Sequence, residues 1–286
     1  MKRILTVQDI SCVGKCSLTV ALPVVSACGV ETCVLPTALL STHTAFRHHV
    51  RADLTDRFQP ITAAWRAEGI LFDGLYSGYL GSEAQVEEVR AIYGDFCRPG
   101  SLFFVDPVMA DQGKMYAGFS ASFAAAMRSL CAAADVIVPN VSEACFLLDR
   151  PYTKEELDEE EIKEILTSLC ALGCRCAVVT GVRFKDDRIG FYGYDAEKKS
   201  FFSYATPRVP AFFPGTGDVF ASSAFGALER GLSAPEAMRL AADFTYRSIL
   251  ATTKEETHNW YGVDFESALP SLTRQIETAL DQKEGR

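Results

Sequence analysis

Short apolar runs alternate with longer stretches of helical period along this chain. The runs Arg3–Gln8, Thr32–Leu35, Gly69–Ser77, Ser101–Val105, Val136–Pro139 and Cys176–Thr180 read as strands. Several are apolar on both faces, as strands buried inside a parallel sheet are. Between them, residues 15–28, 54–68, 82–96, 118–133, 141–148 and 154–172 carry helical patterns, and further helices are expected at about 217–230, 234–251 and 263–282. Strand–helix alternation implies right-handed crossovers, and so a three-layer α/β/α sandwich around a mainly parallel central sheet. Residues 188–205 break the pattern: Ile189–Tyr194 and Ser200–Tyr204 flank a polar Asp-Ala-Glu-Lys-Lys turn, which predicts an antiparallel hairpin. The acidic segment Thr153–Lys163 suits a solvated helix start. With no internal repeat or low-complexity linker, one domain over residues 1–286 is the economical assignment.

The segment Pro214-Gly215-Thr216-Gly217-Asp218 opens one of these helices with two glycines and a carboxylate. Glycine permits close backbone approach and positive φ. The first N–H groups of a helix lack partners within it and lie at the positive end of its dipole. Together they form a site for an anion such as phosphate. A carboxylate there repels such a ligand, unless it serves to take a proton from an attacking hydroxyl. On that reading Gly215, Thr216 and Gly217 cradle a transferring phosphoryl group and Asp218 is the general base. A plain helix cap would give the same pattern. No Lys-Ser or Lys-Thr pair follows, so this is not a Walker loop. It also lies too far along the chain for a dinucleotide fingerprint.

In parallel sheets, ligands collect beyond the carboxyl ends of the strands. Polar residues at those ends are Gln8-Asp9, Ser77-Gly78-Tyr79, Asp106, Asn140 with Glu143, and Thr180-Gly181. Each alone reads equally well as a turn or cap; their recurrence at equivalent ends points to a site.

Composition narrows the function. Of 286 residues, 48% are hydrophobic and 23% charged, which is globular, and the net charge of −9 argues against nucleic-acid binding. No apolar stretch reaches the roughly 18 residues of a membrane span. The N-terminus lacks a signal-peptide pattern, so a cytoplasmic location is expected. The 10 cysteines lie mostly in apolar segments and read as reduced, buried thiols. Cys170, Cys174 and Cys176 lack the second knuckle that a zinc site requires.

Six motifs, in order, resemble the pyridoxal kinases of the ribokinase superfamily over nearly the whole chain. They are Gln8-Asp9-Ile10-Ser11-Cys12-Val13-Gly14, Ser41-Thr42-His43-Thr44, Ser77-Gly78-Tyr79-Leu80-Gly81, Val105-Asp106-Pro107-Val108-Met109, Pro139-Asn140-Val141-Ser142-Glu143 and Gly215-Thr216-Gly217-Asp218. The resemblance implies transfer of the ATP γ-phosphate to the 5′-hydroxymethyl of a vitamin B6 vitamer, by a homodimer using Mg²⁺. It assigns Asp218 as base and the amides of Gly215–Asp218 as the anion hole. It places Asp106, Asp111, Asn140, Thr180 and Gly181 along the nucleotide, with Glu143 and Asp106 toward the metal. Asp9, His43, Thr44 and Tyr79 fall on the vitamer side. Asp9 stands where the family has a ring-contacting Ser, and Ile10 where it has His, which leans the expected preference toward pyridoxamine. The alternatives are a hydroxymethylpyrimidine kinase, whose glycine-rich segment after the first strand is missing here, and a catalytically silent vitamer binder on the same fold.

Overall fold

The computed structural model describes residues 1–153, 156–254 and 257–285. The elements in chain order are β1 (Arg3–Val13), α1 (Leu18–Ala27), β2 (Glu31–Thr42), β3 (Arg51–Asp53), α2 (Thr55–Ala67), β4 (Phe72–Ser77), α3 (Glu83–Phe96), β5 (Cys97–Val105), β6 (Ala110–Asp111), β7 (Lys114–Met115), α4 (Ala121–Ala133), β8 (Val136–Ile137), α5 (Val141–Leu147), α6 (Glu159–Ala171), β9 (Cys176–Phe184), β10 (Arg188–Asp195), β11 (Ser200–Pro207), α7 (Thr216–Glu229), α8 (Ala234–Thr253) and α9 (Leu269–Glu284). The α/β class with mainly parallel strands and flanking helices agrees with the sequence pattern, as does the β10–β11 hairpin. The helix start expected from the acidic segment falls partly on Lys154 and Glu155, outside the described residues; α6 begins at Asp158, whose side chain caps the N–H groups of Glu160 and Glu161.

The backbone divides into two compact units, Met1–Leu54 with Val209–Arg286, and Thr55–Arg208. In the first, β1 runs parallel to β2 and β3 returns antiparallel at the edge. The register slips between Gln8 and Ile10, which pair with Pro36 and Leu39. The extra residue lies in β2, where Thr37 and Ala38 stand opposite Asp9 alone, and a bulge bends the strand that carries it. The core of this unit joins Val20 and Val24 of α1, Val219 of α7, Phe244 of α8 and Leu272 and Ile276 of α9. Burying a Phe or Leu completely contributes about 1.5–3 kcal/mol. The small-residue face of α7 lets α1 approach closely: a Cβ on Gly226 would lie 2.5 Å from Cys28 Sγ.

In the second unit β4, β5, β8 and β9 form a parallel run, continued by β10 and β11 antiparallel. The pairing of β9 with β10 slips so that Val182 and Thr180 oppose the adjacent Gly190 and Phe191, leaving Gly181 as the extra residue. Its φ of 70° explains the glycine, because a left-handed bulge position disfavours side chains.

Several expected boundaries differ from those observed. β1 continues to Val13, so Gln8 and Asp9 lie within the strand and not beyond it. Polar residues imitated a strand end because their partners are distant or local side chains: Gln8 Nε2 donates to Thr6 Oγ1, and Asp9 accepts from Ser11 and Ser17. β2 runs to Thr42, β5 begins at Cys97, and β9 extends to Phe184. The short β3, β6 and β7 have too few residues to show a period.

Candidate functional site

Helix α7 carries the first cluster. Its N-cap Gly215 is left-handed, with φ 80° and ψ 0°, and a Cβ there would lie 1.9 Å from the Lys15 carbonyl oxygen. Only glycine serves at this point. The first intrahelical bond runs from Val219 N–H to Gly215 O at 3.0 Å, so the N–H groups of Thr216, Gly217 and Asp218 precede the helical ladder. Gly217 differs from the expectation of a positive φ: it is an ordinary first-turn residue, and its Cβ position faces open space. Room beside those amides is what an incoming anion requires.

Asp218 is the third residue of α7. Its carboxylate accepts the backbone N–H of Ser17, and burial together with the charge of Asp9 pushes its pKa up to about 7. That value suits a general base at neutral pH. Asp9, 6% exposed and opposite the β2 bulge, accepts hydrogen bonds from the hydroxyls of Ser17 and Ser11 and feels the positive charge of Arg51; burial still raises its pKa. The Cys16 thiol lies against both acids, and burial and their charges hold it protonated well above the ordinary thiol range. Ser11 lay inside the first motif without an assigned role, and Cys16 and Ser17 lay in no motif. The polar break Gly14–Ser17 before an apolar helix was the available signal.

His43 is also in this unit. Its backbone N–H donates to Val13 O, Ala45 N–H donates to its Nδ1 at 3.2 Å, and its Nε2 donates to Tyr261 O at 3.1 Å. Its ring packs on Gly14, where a Cβ would lie 2.4 Å from it, and beside Phe46 and Trp260. Burial holds the imidazole below its usual pKa and thus neutral. Both ring nitrogens are used in holding the loop that contains Trp260 and Tyr261. Thr44, next to it, is exposed.

The second unit holds the other cluster. Asn140 caps α5: Glu143 N–H donates to Asn140 Oδ1 at 2.9 Å, and Asn140 N–H donates back to Glu143 Oε2 at 2.8 Å. Glu143 Oε1 accepts from Met109 N–H at 3.1 Å, and Asn140 Nδ2 donates to Ala110 O at 2.8 Å. Two chain segments are thereby tied to one helix start. Burial raises the Glu143 carboxyl above its usual range, against the hydrogen bonds from backbone N–H groups. Both of its oxygens accept backbone N–H groups, so Glu143 organises this loop. Asp106 is buried; burial first, and then the charges of Glu143 and Asp106, raise the Cys131 thiol. Asp111 sits on the β6–β7 hairpin, where Gln112 and Gly113 both have positive φ; burial raises its pKa. The tip is fixed by Gly113 N–H donating to Ser142 Oγ at 2.7 Å and by the Tyr152 ring. Thr180 bridges to Asn140 and its N–H donates to Pro139 O, which brings Asn140, Thr180 and Gly181 together. Tyr79 packs against Phe119 at 5.7 Å, in a separate aromatic group.

The sequence signature of the phosphomethylpyrimidine kinase family matches residues 21–261. The chain belongs to this family. Within it, the chain is 39% identical to a Bacteroides thetaiotaomicron protein assigned to the phosphomethylpyrimidine kinases, covering 95% of this chain and 93% of that one, with a TM-score of 0.91. A second crystal form of that protein, with pyridoxal, superposes with a TM-score of 0.90. The pyridoxal kinase of Lactobacillus plantarum is 32% identical over 97% of this chain and 99% of its own, with a TM-score of 0.89. The pyridoxal kinase PdxY of Aliivibrio fischeri is 29% identical over 157 residues, 50% of this chain and 52% of that protein. The chain spans about half the length of the first curated relatives it matches. The ribokinase-like fold and the vitamer-kinase kinship read from the six motifs agree with these relatives.

Proposed function

We propose that the protein is an ATP-dependent kinase that phosphorylates the 5′-hydroxymethyl group of a vitamin B6 vitamer. The observation that carries this reading is the start of α7: a glycine cap pressed on the Lys15 carbonyl, open space beside Gly217, and a carboxylate whose pKa is pushed to about 7. Asp218 takes the proton from the attacking hydroxyl, and the Gly215–Asp218 amides hold the phosphoryl oxygens as charge builds on them. Asp106, Asp111, Asn140, Thr180 and Gly181 are the nucleotide-side residues of this reading, and Asp9, His43, Thr44 and Tyr79 the vitamer-side ones. Pyridoxal is the ligand of the Bacteroides thetaiotaomicron relative, which supports the choice of vitamer class.

Magnesium is part of the reading. Among the described residues no three His, Cys, Asp or Glu side chains gather as a metal cage. Mg²⁺ commonly keeps several waters and takes one or two carboxylates beside substrate phosphates. Asp106 and Asp111 fit an ion that arrives with the nucleotide and neutralises its phosphate charge. A homodimer is the proposed assembly, to be checked by light scattering.

The family signature favours a second reading, phosphorylation of hydroxymethylpyrimidine. ADP formation with pyridoxal, pyridoxamine, pyridoxine and hydroxymethylpyrimidine separates the two. The proposal expects kcat/KM for a B6 vitamer to be largest. Turnover of the pyrimidine alone would replace it with the second reading, and vitamer-induced thermal stabilisation without ADP would indicate a silent binder.

A further inference from the structure

Lys15 is the charged residue of the turn Gly14–Ser17 between β1 and α1, and it touches two parts of the first unit at once. On one side is the cap of α7, where the Lys15 carbonyl oxygen lies 1.9 Å from the place a Cβ on Gly215 would take. On the other side is the segment Tyr261–Glu266. Lys15 N–H donates to Tyr261 O at 3.4 Å, and the same carbonyl accepts from His43 Nε2 at 3.1 Å. The Lys15 stem lies on Gly262, where a Cβ would be 2.4 Å from Lys15 Cβ. Its ammonium donates to Glu266 Oε2 at 2.7 Å, is 3.7 Å from Asp264 Oδ1 and stands 5.7 Å from the centre of the Phe265 ring. Asp264 is tied in turn to α8, its N–H donating to Thr252 Oγ1 at 2.7 Å.

Stability does not account for these contacts. The Lys15 side chain is 21% exposed, that of Asp264 34% and that of Glu266 50%. Ion pairs so open to solvent add little to stability, because water and salt screen them. What they fix is a place. Backbone, stem and ammonium of Lys15 all meet the same short segment, so the peptide of residue 15 moves only if that segment moves.

Resting on the kinase reading, we infer that Lys15 is a positioning residue: its ammonium, held by Asp264 and Glu266, keeps its own carbonyl against Gly215 and so keeps the amides of Thr216, Gly217 and Asp218 in register with the transferring phosphoryl group. The segment Tyr261–Glu266 is then the buttress of the anion hole. Amides stabilise developing charge only when they are fixed in advance, and a displacement of about 1 Å can cost up to a hundredfold in rate. Without the ammonium, Asp264 and Glu266 are left as two like charges that repel. The segment then draws away from the turn, and the Lys15 carbonyl loses its backing at the cap of α7.

The test reads the start of α7 without turnover. Ligand-free protein labelled with ¹⁵N-glycine is compared with Lys15→Met, which keeps the stem and removes the charge, and with Glu266→Gln, which acts from the far end of the ion pair. The Gly217 resonance is assigned by its loss in Gly217→Ala. It is expected to move in both variants and to return toward the wild-type position in Lys15→Arg, while Gly94 of α3, assigned by Gly94→Ala, stays in place. In the same proteins kcat is expected to fall about tenfold in Lys15→Met and about threefold in Glu266→Gln, with KM for the vitamer within about twofold and recovery in Lys15→Arg. A Gly217 resonance that neither variant moves overturns the linkage. A moved resonance with unchanged kcat, or Lys15→Arg no better than Lys15→Met, overturns the role in the reaction. Should Lys15→Met fail to fold, Glu266→Gln decides by itself. Absence of ADP with every vitamer in the wild type removes the kinase reading alone, because the glycine resonance still decides the linkage.

Discussion

Asp218 and Glu143 have the same local address. Each is the third residue of a helix, α7 and α5 respectively, and each is raised above the usual carboxylate range by burial. Their N-caps differ. Asn140 has a side chain that bonds Glu143 N–H, and Glu143 returns the bond, closing a capping box. Gly215 has no side chain to give, and Asp218 is one methylene shorter than Glu. A lowering effect of Ser17 N–H acts on its carboxylate, and the Cβ position of Gly217 in the same turn faces open space. A complete capping box spends both acid and amides on structure. A glycine cap leaves both for a ligand.

This contrast makes the two acids respond oppositely. Asp218→Asn is expected to lower kcat by about 10²–10⁴ with modest change in nucleotide affinity. Glu143→Gln is expected to leave kcat within tenfold and its Mg²⁺ titration unchanged. It turns an amide group toward a backbone N–H, so stability falls by about 1–3 kcal/mol, read as a lower denaturation midpoint. Loss of metal affinity in Glu143→Gln would restore Glu143 to the metal shell and break the comparison.

The glycines of α7 separate in the same way. Gly215→Ala meets the Lys15 carbonyl and needs a positive φ, so a loss of more than about 1 kcal/mol is expected, with activity falling alongside. Gly217→Ala has room and sits inside a helix, where Ala is favoured by about 0.5–1 kcal/mol. Its thermal midpoint should rise while kcat falls. Equal destabilisation by both changes would remove the distinction between the cap and the open amide.

A further effect is on stability against pH. Asp218 binds its proton more tightly folded, at about 7, than unfolded, at 3.8. Its contribution is therefore fully present below about pH 4, is lost as pH rises through 7, and levels off above. The difference in stability between Asp218→Asn and wild type should widen across that window, favouring the variant at higher pH. A difference independent of pH would mean that Asp218 is not buried as described.

Much of this contrast was legible in the chain. Gly215, Gly217 and Asp218 were visible as a glycine-capped helix start with a first-turn carboxylate, a pattern that an anion site and a plain cap share. The alternating pattern gave the α/β class and the hairpin. Asn140 and Glu143 were visible as a pair, but a capping box and a metal-side pair share the same spacing, and only the bonds to Met109 and Asn140 separate them. Asp9 was visible as a departure from the family, yet its setting inside β1 was not, because the polar pair Gln8-Asp9 imitates a strand end.

The central claim is that Asp218 is a base poised near neutrality. The pH dependence of kcat for wild type and Asp218→Asn, with saturating pyridoxal and MgATP between about pH 5 and 9, tests it most directly. Wild-type kcat is expected to rise with pH and reach half its plateau near 7, while the variant stays low with that limb gone. A wild-type profile flat down to pH 5, or a variant that keeps the same limb, would contradict the assignment.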